Sequence, residues 1–194
     1  MSLFESASGS IHSPVFLGDR SRPPVIPDYV DRARADRPGA TGFLFCQNAR
    51  FTTKTKADWE RIRAIRGVDA RHHFGLLCRD LAEAAVYARI DNRQFRLIKN
   101  AGRGAYAFIL HATREVPRRL LHPRRKTIGV RIPAHRVVQA LLVELGEPLL
   151  SSTLILPGDA APLDDAQRIR ARLERRVDLI LDAGPCGIVP TTVV

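Results

Sequence analysis

The sequence has few cysteines and no long apolar run. Its 194 residues contain three cysteines, Cys46, Cys78 and Cys186, which are widely spaced. They match neither a zinc-ligand spacing nor a disulfide framework, so we expect buried or inert thiols in a reducing, cytoplasmic compartment. The longest apolar stretch, residues 149–156, is too short to cross a membrane, and the first residues lack the pattern of a signal peptide. We therefore expect neither a membrane partner nor a secreted protein.

Acidic residues are also scarce. Lys and Arg number 31 against 20 Asp and Glu, which gives a net charge of +11. Residues 114–136 carry eight cations and a single acid, Glu115. Arginine forks suit phosphate oxygens, so we favour anion contact for residues 114–126. For the second arginine cluster, residues 168–176, a solvated surface is an equally good interpretation. The candidate RNA-binding residues are Arg118, Arg119, Arg124, Arg125 and Lys126.

The chain divides into two unlike parts. Residues 1–50 are rich in Ser, Pro, Gly and Arg and have no sustained apolar period, which predicts a loop or tail. Regular helix and strand spacings of apolar residues begin only after about residue 55. We therefore predict a divergent, loop-like or irregular segment over residues 1–55 and a folded domain over residues 56–194.

Helix signals and apolar strands alternate through residues 56–194. Trp59, Ile62 and Ile65 have helical spacing. Helix starts are predicted where an Asp is followed three residues later by Glu or Gln, which occurs at Asp80, Asp91 and Asp164. A further helix is predicted to begin at Pro133 and to end at Gly146. Strands are predicted at residues 74–78, 106–110, 127–132, 149–156, 177–181 and 188–194. This alternation predicts an α/β fold with a buried sheet.

Hydroxyl residues inside apolar strands are candidate ligand contacts. Ser151, Ser152 and Thr153 form a cluster within one predicted strand, and Thr191 with Thr192 forms a similar pair near Val194. A run of hydroxyls can bind phosphate or carboxylate oxygens. The alternative, which is the more common case, is that these side chains pack and bond to neighbouring backbone.

Arg131 lies between two apolar residues of a predicted strand, so an interior or rim position is expected. A buried guanidinium needs an anionic partner, and a ligand phosphate and a structural salt bridge are equally compatible with the sequence. His72 and His73 could titrate or contact phosphate, although inert loop histidines are the favoured interpretation. No nucleophile–base pair, metal motif or Walker loop appears, so the sequence identifies no catalytic residue and no metal site.

Four runs, in this order, carry a resemblance to a known family: "FGLLCRDLAEAAVYARIDNRQFRLIKN", "VPRRLLHPRRKTIGVRIP", "LGEPLLSSTLILPG" and "PTTVV". They resemble the YciO branch of the YrdC-like family over residues 59–194. The resemblance implies a twisted open mixed β-sheet flanked by helices, with a basic concave face. It also implies binding of nucleotide and of double-stranded RNA or tRNA, with ATP and Mg²⁺ as possible ligands and no tightly bound cofactor. The family is related to the enzymes that make threonylcarbamoyl-AMP from threonine, bicarbonate and ATP for tRNA modification.

The resemblance also assigns residues. Arg66 takes the place of the lysine in the family's Lys-x-Arg motif, and Arg131 matches the arginine after a family strand. Residues 151–153 match the Ser/Thr cluster, and Thr191 with Thr192 matches the terminal Ser-Thr pair. The roles that follow by resemblance are phosphate contact for the arginines and hydrogen bonds to nucleotide or threonine for the hydroxyls.

The chain departs from the synthase pattern at several positions. Ile155 stands where synthases carry an asparagine, and Val68 replaces the arginine of Lys-x-Arg. The family's opening strand motif is absent from residues 1–55, and a frame-shifted N-terminus would explain this absence. At the other end, family members continue beyond the position of Val194. We therefore expect a binding protein of YciO type, with an active threonylcarbamoyl-AMP synthase as the alternative.

Overall fold

The computed structural model describes residues 15–17, 43–45, 50–53, 56–69, 72–173, 175–177, 179–182 and 191–194. The strands in these ranges are β1 (Val15–Leu17), β2 (Phe43–Phe45), β3 (Arg50–Thr53), β4 (Gly75–Leu77), β5 (Tyr106–His111), β6 (Thr127–Arg131), β7 (Leu149–Thr153), β8 (Leu179–Asp182) and β9 (Thr192–Val193). The helices are α1 (Lys56–Arg66), α2 (Leu81–Tyr87), α3 (Asn92–Ala101), α4 (Arg136–Leu145) and α5 (Ala166–Leu173), and Arg118–Leu120 forms a 3-10 turn.

The described strands form one mixed sheet in the order β1-β8-β2-β3-β7-β4-β6-β5-β9. Strand β4 pairs in parallel with β6 and antiparallel with β7, and β5 pairs antiparallel with β6. A parallel pair needs a crossover connection, and α2 and α3 lie in the segment that joins β4 to the β5–β6 hairpin. The predicted α/β fold with an open mixed sheet and flanking helices is confirmed.

Capping residues determine where several helices begin and end. The Asp80 side chain accepts the Glu83 backbone N–H at 2.8 Å. Asp91 and Gln94 form a reciprocal capping box at 2.7 and 3.0 Å. Gly146 ends α4 in the left-handed region, with φ 65°. These starts and this end were predicted from sequence and are confirmed.

Two predicted helix starts are wrong. The α5 helix begins at Ala166 because Asp165, not Asp164, accepts the N–H of Arg168, at 2.8 Å. The α4 helix begins at Arg136, three residues after Pro133, because the first helical bond runs from the Gln139 N–H to the His135 carbonyl at 2.9 Å; the Pro133 carbonyl accepts from the Gln139 side chain at 2.6 Å instead. Leu173 ends α5, so the cluster at residues 168–176 extends beyond that helix.

Strands β1 to β3 lie in the segment that was predicted to be loop-like or irregular. Strand β2 pairs with β8, and β3 pairs with β7, so their partners are more than 90 residues away in the chain. Strands β2 and β3 also pair with each other, but β1, β2 and β3 have only three, three and four residues, which is too short for alternation to be recognised in the sequence. For residues 15–17, 43–45 and 50–53 the loop prediction is therefore wrong, while the boundary at residue 55 stays a prediction.

Strand alternation gives the sheet two faces. On the first, called the main-core face, Leu76, Val130 and Leu150 pack in one cluster with buried residues of α1, α2, α3 and α5. On the second, called the α4 face, Leu77, Leu149 and Leu181 pack with three buried residues of α4, Val138, Leu141 and Leu142. Among the described helices, α4 alone packs on the second face.

The buried Cys78 lies at the end of β4, and its backbone N–H donates to the Arg131 carbonyl at 2.8 Å. Burial raises the pKa of the Cys78 thiol, so the expected inert thiol is confirmed for this cysteine. Cys46 and Cys186 lie outside the described residues. No described helix is long and apolar enough to span a membrane.

Candidate functional site

Arg131 is the last residue of β6, and its partner in the parallel β4–β6 register is Leu77. It therefore points to the α4 face. The residue is 3% exposed, and its Nε and Nη1 atoms have no hydrogen-bond partner. Burial lowers the pKa of Arg131 to about 10. A charged group without a partner in this position is costly, and an anion beside it would remove much of that cost. The predicted interior position of Arg131 is confirmed.

Two glycines lie beside Arg131 on the same face. Gly129 precedes it by two residues in β6, and Gly75 of β4 is the register partner of Gly129. A Cβ atom added to Gly75 would lie 3.5 Å from the Gly129 carbonyl oxygen, and one added to Gly129 would lie 3.5 Å from Cδ1 of Ile109. The two glycines thus leave backbone without side chains on the face to which Arg131 points, bordered by Ile109, and a flat or branched ligand could approach it closely.

Ser151 of β7 borders this bare backbone, because it pairs with Gly75 in the β4–β7 register. Its hydroxyl is buried and donates to the Gly75 carbonyl at 3.2 Å. A bond to neighbouring backbone is the alternative that the sequence left open for these hydroxyls. Thr153, two residues on, is half-buried.

Ser152 points to the main-core face and belongs to a different cluster. The Arg66 Nη1 atom donates to Ser152 Oγ at 2.5 Å and lies 2.6 Å from Nε2 of His72. His72 Nε2 is 2.9 Å from the same hydroxyl. Arg66 Nε also donates to the carbonyl of Ile155 at 3.4 Å. The end of α1 and the end of β7 are therefore joined through one half-buried arginine.

His72 can take part in this cluster only as an acceptor for Arg66, which has no lone pair to offer. Burial is the main cause that lowers the pKa of His72, and the charge of Arg66 lowers it further. Both causes favour the neutral ring. An inert histidine was the favoured interpretation, and the structure shows instead that His72 contacts two of the predicted site residues. No local signal could have revealed this, because Ser152 is 80 residues away.

The structure does not gather all predicted site residues in one place. Arg131 and Ser151 share the α4 face, whereas Arg66 and Ser152 meet on the main-core face. Thr192 lies in β9, which pairs with β5, and Thr191 immediately precedes it. Four strand spacings, roughly 19 Å, separate β9 from β7. Thr191 and Thr192 are thus distant from the residue 151–153 cluster.

The predicted RNA-binding residues lie in the connection between β5 and β6. Arg118, Arg124, Arg125 and Lys126 are exposed, and the side chain of Arg119 lies outside the described atoms. The turn at residues 122–126 is tightly bonded. His122 Nδ1 accepts the N–H groups of Arg124 and Arg125 at 3.3 and 3.0 Å, and the backbone N–H of Lys126, which has φ 55°, donates to the His122 carbonyl at 3.0 Å. The Lys126 side chain donates through Nζ to the Pro123 carbonyl at 2.7 Å. The turn therefore displays three cations from a fixed backbone.

Comparison with known proteins agrees with the fold. A model of the Sua5/YciO/YrdC family, described as telomere recombination, matches residues 37–194. The chain belongs to this family. The match begins before the predicted boundary at residue 56.

The uncharacterized protein YciO of Escherichia coli K12 is 52% identical over 135 residues, which are 70% of this chain and 66% of that protein. An uncharacterized protein of Haemophilus influenzae is 50% identical over 136 residues, with the same coverage. The chain spans about two thirds of the length of these relatives.

Solved structures of family members resemble this chain closely. The crystal structure of E. coli YciO has a TM-score of 0.78 at 43% identity and covers 87% of this chain and 82% of its own. The P. abyssi Sua5 structure complexed with L-threonine has a TM-score of 0.72 at 19% identity, over 87% of this chain and 49% of that one. At that identity the likeness to Sua5 establishes the fold alone.

Proposed function

We propose that this YciO-type chain binds a nucleotide through its phosphates and that Arg131 makes the central contact. The observation that carries the proposal is the burial of Arg131 without a partner for Nε and Nη1. Both atoms are donors of the planar guanidinium, which as a whole can donate in pairs to the oxygens of a phosphate. A structural arginine at the same burial would be expected to pair with a carboxylate, and no ion pair of Arg131 is found among the described residues.

The bare backbone at Gly75 and Gly129 supports a ligand at this position. Without side chains there, a sugar or phosphate can lie against the sheet beside the guanidinium. ATP is the ligand we favour. No cluster of three or more His, Cys, Asp or Glu that could hold a metal occurs in the described part of the chain. A Mg²⁺ ion would then arrive on the nucleotide phosphates and not at a site formed by carboxylates.

Arg66 is proposed as a second phosphate contact. Ser152, His72 and the Ile155 carbonyl hold its side chain in one position. None of these three partners is a carboxylate, so the guanidinium keeps its full positive charge toward an incoming anion. Thr153, Thr191 and Thr192 remain weaker candidates, because no contact joins any of them to Arg131 or Arg66 among the described bonds. Strands β7 and β9 each lie two strand spacings from β6, on opposite sides of it, so Thr153 and Thr192 cannot both adjoin Arg131 closely.

Double-stranded RNA is a second proposed ligand, carried by a separate observation. Arg124, Arg125 and Lys126 project from a turn whose backbone is fixed by His122. Exposed cations on a rigid turn suit the phosphates of an RNA duplex, which proteins recognise mainly by shape and backbone. A cytoplasmic location would be required for contact with such RNA.

The alternative, an active threonylcarbamoyl-AMP synthase, has less support. Ile155 stands where the synthases carry an asparagine. Its backbone carbonyl accepts from Arg66, but its side chain cannot form the hydrogen bonds of an amide. Calorimetric titration of the full chain with ATP, AMP and inorganic phosphate tests the main proposal. We expect saturable binding of ATP that weakens as phosphates are removed. No measurable heat with any of them at millimolar concentration would contradict it.

A further inference from the structure

Helix α3 presents most of its surface to solvent. Seven of its ten residues are exposed; Ile98 is buried in the main core, and the partly buried Ala101 packs against it. The capping box formed by Asp91 and Gln94 stabilises the helix at its start. A helix that is held by its cap, Ile98 and Ala101 has a wide outer surface that packing does not explain.

The charge on this surface has one sign. Residues 89–103 contain five cations and one acid, Asp91. The Asp91 carboxylate is occupied, because it accepts the Gln94 N–H at 2.7 Å. All five cations are exposed, and the described ion pairs include none of them. The five are Arg89, Arg93, Arg96, Lys99 and Arg103.

Three of these cations form a row. Arg93, Arg96 and Lys99 are spaced at three residues, which places them along the outer side of α3 over about 9 Å. Phe95 is 46% exposed and Leu97 is 49% exposed, and they flank the row on its two sides. An exposed aromatic ring next to unpaired cations is the combination that binds unpaired bases and their phosphates.

We infer that the outer surface of α3 binds single-stranded RNA, with Arg93, Arg96 and Lys99 on the phosphates and Phe95 stacked on a base. This surface belongs to the helices on the main-core face, whereas Arg131 points to the α4 face, so the inference does not depend on the nucleotide site. A single strand is favoured over a duplex because a ring can stack only on a base that is free of its partner.

An anionic membrane fits this surface less well. Helices that lie on membranes insert a continuous apolar face into the bilayer. In α3 the central apolar residue, Ile98, is already packed inside the protein. Phe95 and Leu97 lie on opposite flanks of the cationic row and cannot enter a bilayer together.

The test is fluorescence anisotropy of a labelled 15-nucleotide oligouridine RNA with the full chain, over a series of KCl concentrations. The variant Arg93→Gln/Arg96→Gln/Lys99→Gln should flatten the dependence of log affinity on log salt by about 2 units, at roughly 0.7 per phosphate contact. The matched control, Arg168→Gln/Arg175→Gln/Arg176→Gln, removes the same charge from exposed residues in and after α5. It should leave the slope unchanged. Equal losses in both variants would mean that net charge alone attracts RNA, and would overturn the inference.

A second pair of variants tests the ring. Phe95→Leu keeps an apolar side chain and should weaken oligouridine binding by roughly 5- to 150-fold, the range for one stacked base. Leu97→Ala should leave the affinity unchanged. Because Phe95 and Leu97 are both half-exposed, melting temperatures close to that of the parent chain are expected for both variants. Unchanged oligouridine affinity in Phe95→Leu would overturn the assignment. So would α3 substitutions that weaken binding to phosphatidylserine vesicles but leave RNA binding unchanged.

Discussion

Ser151 and Ser152 are consecutive residues of β7, yet their hydroxyls serve opposite faces of the sheet. Ser151 donates to the Gly75 carbonyl at 3.2 Å, and Ser152 accepts from Arg66 and lies 2.9 Å from His72. Alternation along a strand makes this separation unavoidable. The two hydroxyls therefore cannot contact the same phosphate group, and their substitutions should have separate effects.

The first prediction concerns the exposed basic turn. Replacing Arg124, Arg125 and Lys126 together with Ala should flatten the salt dependence of duplex RNA binding by up to about 2.7 units, at roughly 0.9 per phosphate contact. The readout is the affinity for a 20-base-pair RNA over a KCl series. The Arg168→Ala/Arg175→Ala/Arg176→Ala variant is the control of equal charge. An unchanged slope in the turn variant would remove residues 124–126 from the RNA surface.

The second prediction concerns pH. The pKa of His72 is lowered in the folded chain by burial and by Arg66, so the unfolded chain binds more protons as pH falls below about 6.5. The contribution of His72 to stability is therefore present above that value and lost as pH decreases through it. Urea unfolding from pH 8 to pH 5 should show this loss, and His72→Asn should reduce it. Asn keeps an acceptor for Arg66 but does not titrate.

His122 and His135 also have a lowered pKa and contribute with the same sign. For this reason His72→Asn should reduce the pH dependence without abolishing it. The exposed His111→Asn is the matched control. Identical pH profiles for His72→Asn and the parent chain would contradict the assignment of His72 as a neutral acceptor.

The third prediction compares two left-handed glycines. Gly67 follows α1 with φ 63°, and a Cβ there would lie 2.9 Å from Cγ of Pro157. Gly146 has φ 65° with nothing within 4 Å. Gly146→Ala should cost about 1–2 kcal/mol, the range for a left-handed non-glycine residue, and Gly67→Ala should cost more because of the added contact. Denaturant titrations of both variants measure the difference. Equal losses would show that Pro157 moves without penalty.

The fourth prediction concerns catalysis. Pyrophosphate release from ATP, threonine and bicarbonate should be at or near background, because loss of one hydrogen-bonding group at a reacting centre costs roughly 100- to 1000-fold. Ile155 and Val68 replace two such groups of the synthase pattern. A coupled pyrophosphate assay on the full chain is the measurement. Robust turnover would favour the synthase alternative.

Local signals predicted much of the fold after residue 56. Asp80 and Asp91 cap their helices as expected because a cap is decided within four residues. The error at Asp164 is a displacement of one residue, because the neighbouring Asp165 provides the cap, and the error at Pro133 is a displacement of three residues. Strands β2 and β3 were missed although they pair with each other as a short antiparallel hairpin, because each has only three or four residues and too few alternating positions to stand out from a Gly- and Arg-rich segment; their pairing with β8 and β7 lies far along the chain.

The candidate site was predicted in part. The burial of Arg131 followed from its apolar neighbours, Val130 and Ile132. The roles of Gly75 and Gly129 could not be predicted in this way. The two glycines become a feature of the site only because the sheet register places them side by side. The contact of Arg66 with His72 was also missed, since no sequence pattern links an arginine to a histidine six residues later outside a helix.

The central claim is that the unpartnered guanidinium of Arg131 binds a nucleotide phosphate. Two substitutions test it. Arg131→Lys keeps the charge but loses the fork, so ATP affinity should fall by about 1.5–3 kcal/mol while the fold is retained. Arg131→Met removes a buried, unpaired charge at similar volume, so the ligand-free protein should become more stable even as ATP binding is lost. The exposed Arg136→Lys should change neither property.

The most direct measurement is therefore paired: the ATP dissociation constant by calorimetry and the urea unfolding free energy of ligand-free Arg131→Met, each against the parent chain. The account predicts loss of ATP binding together with equal or greater stability. A less stable Arg131→Met protein that still binds ATP with the parent affinity would contradict it, because Arg131 would then be a structural residue.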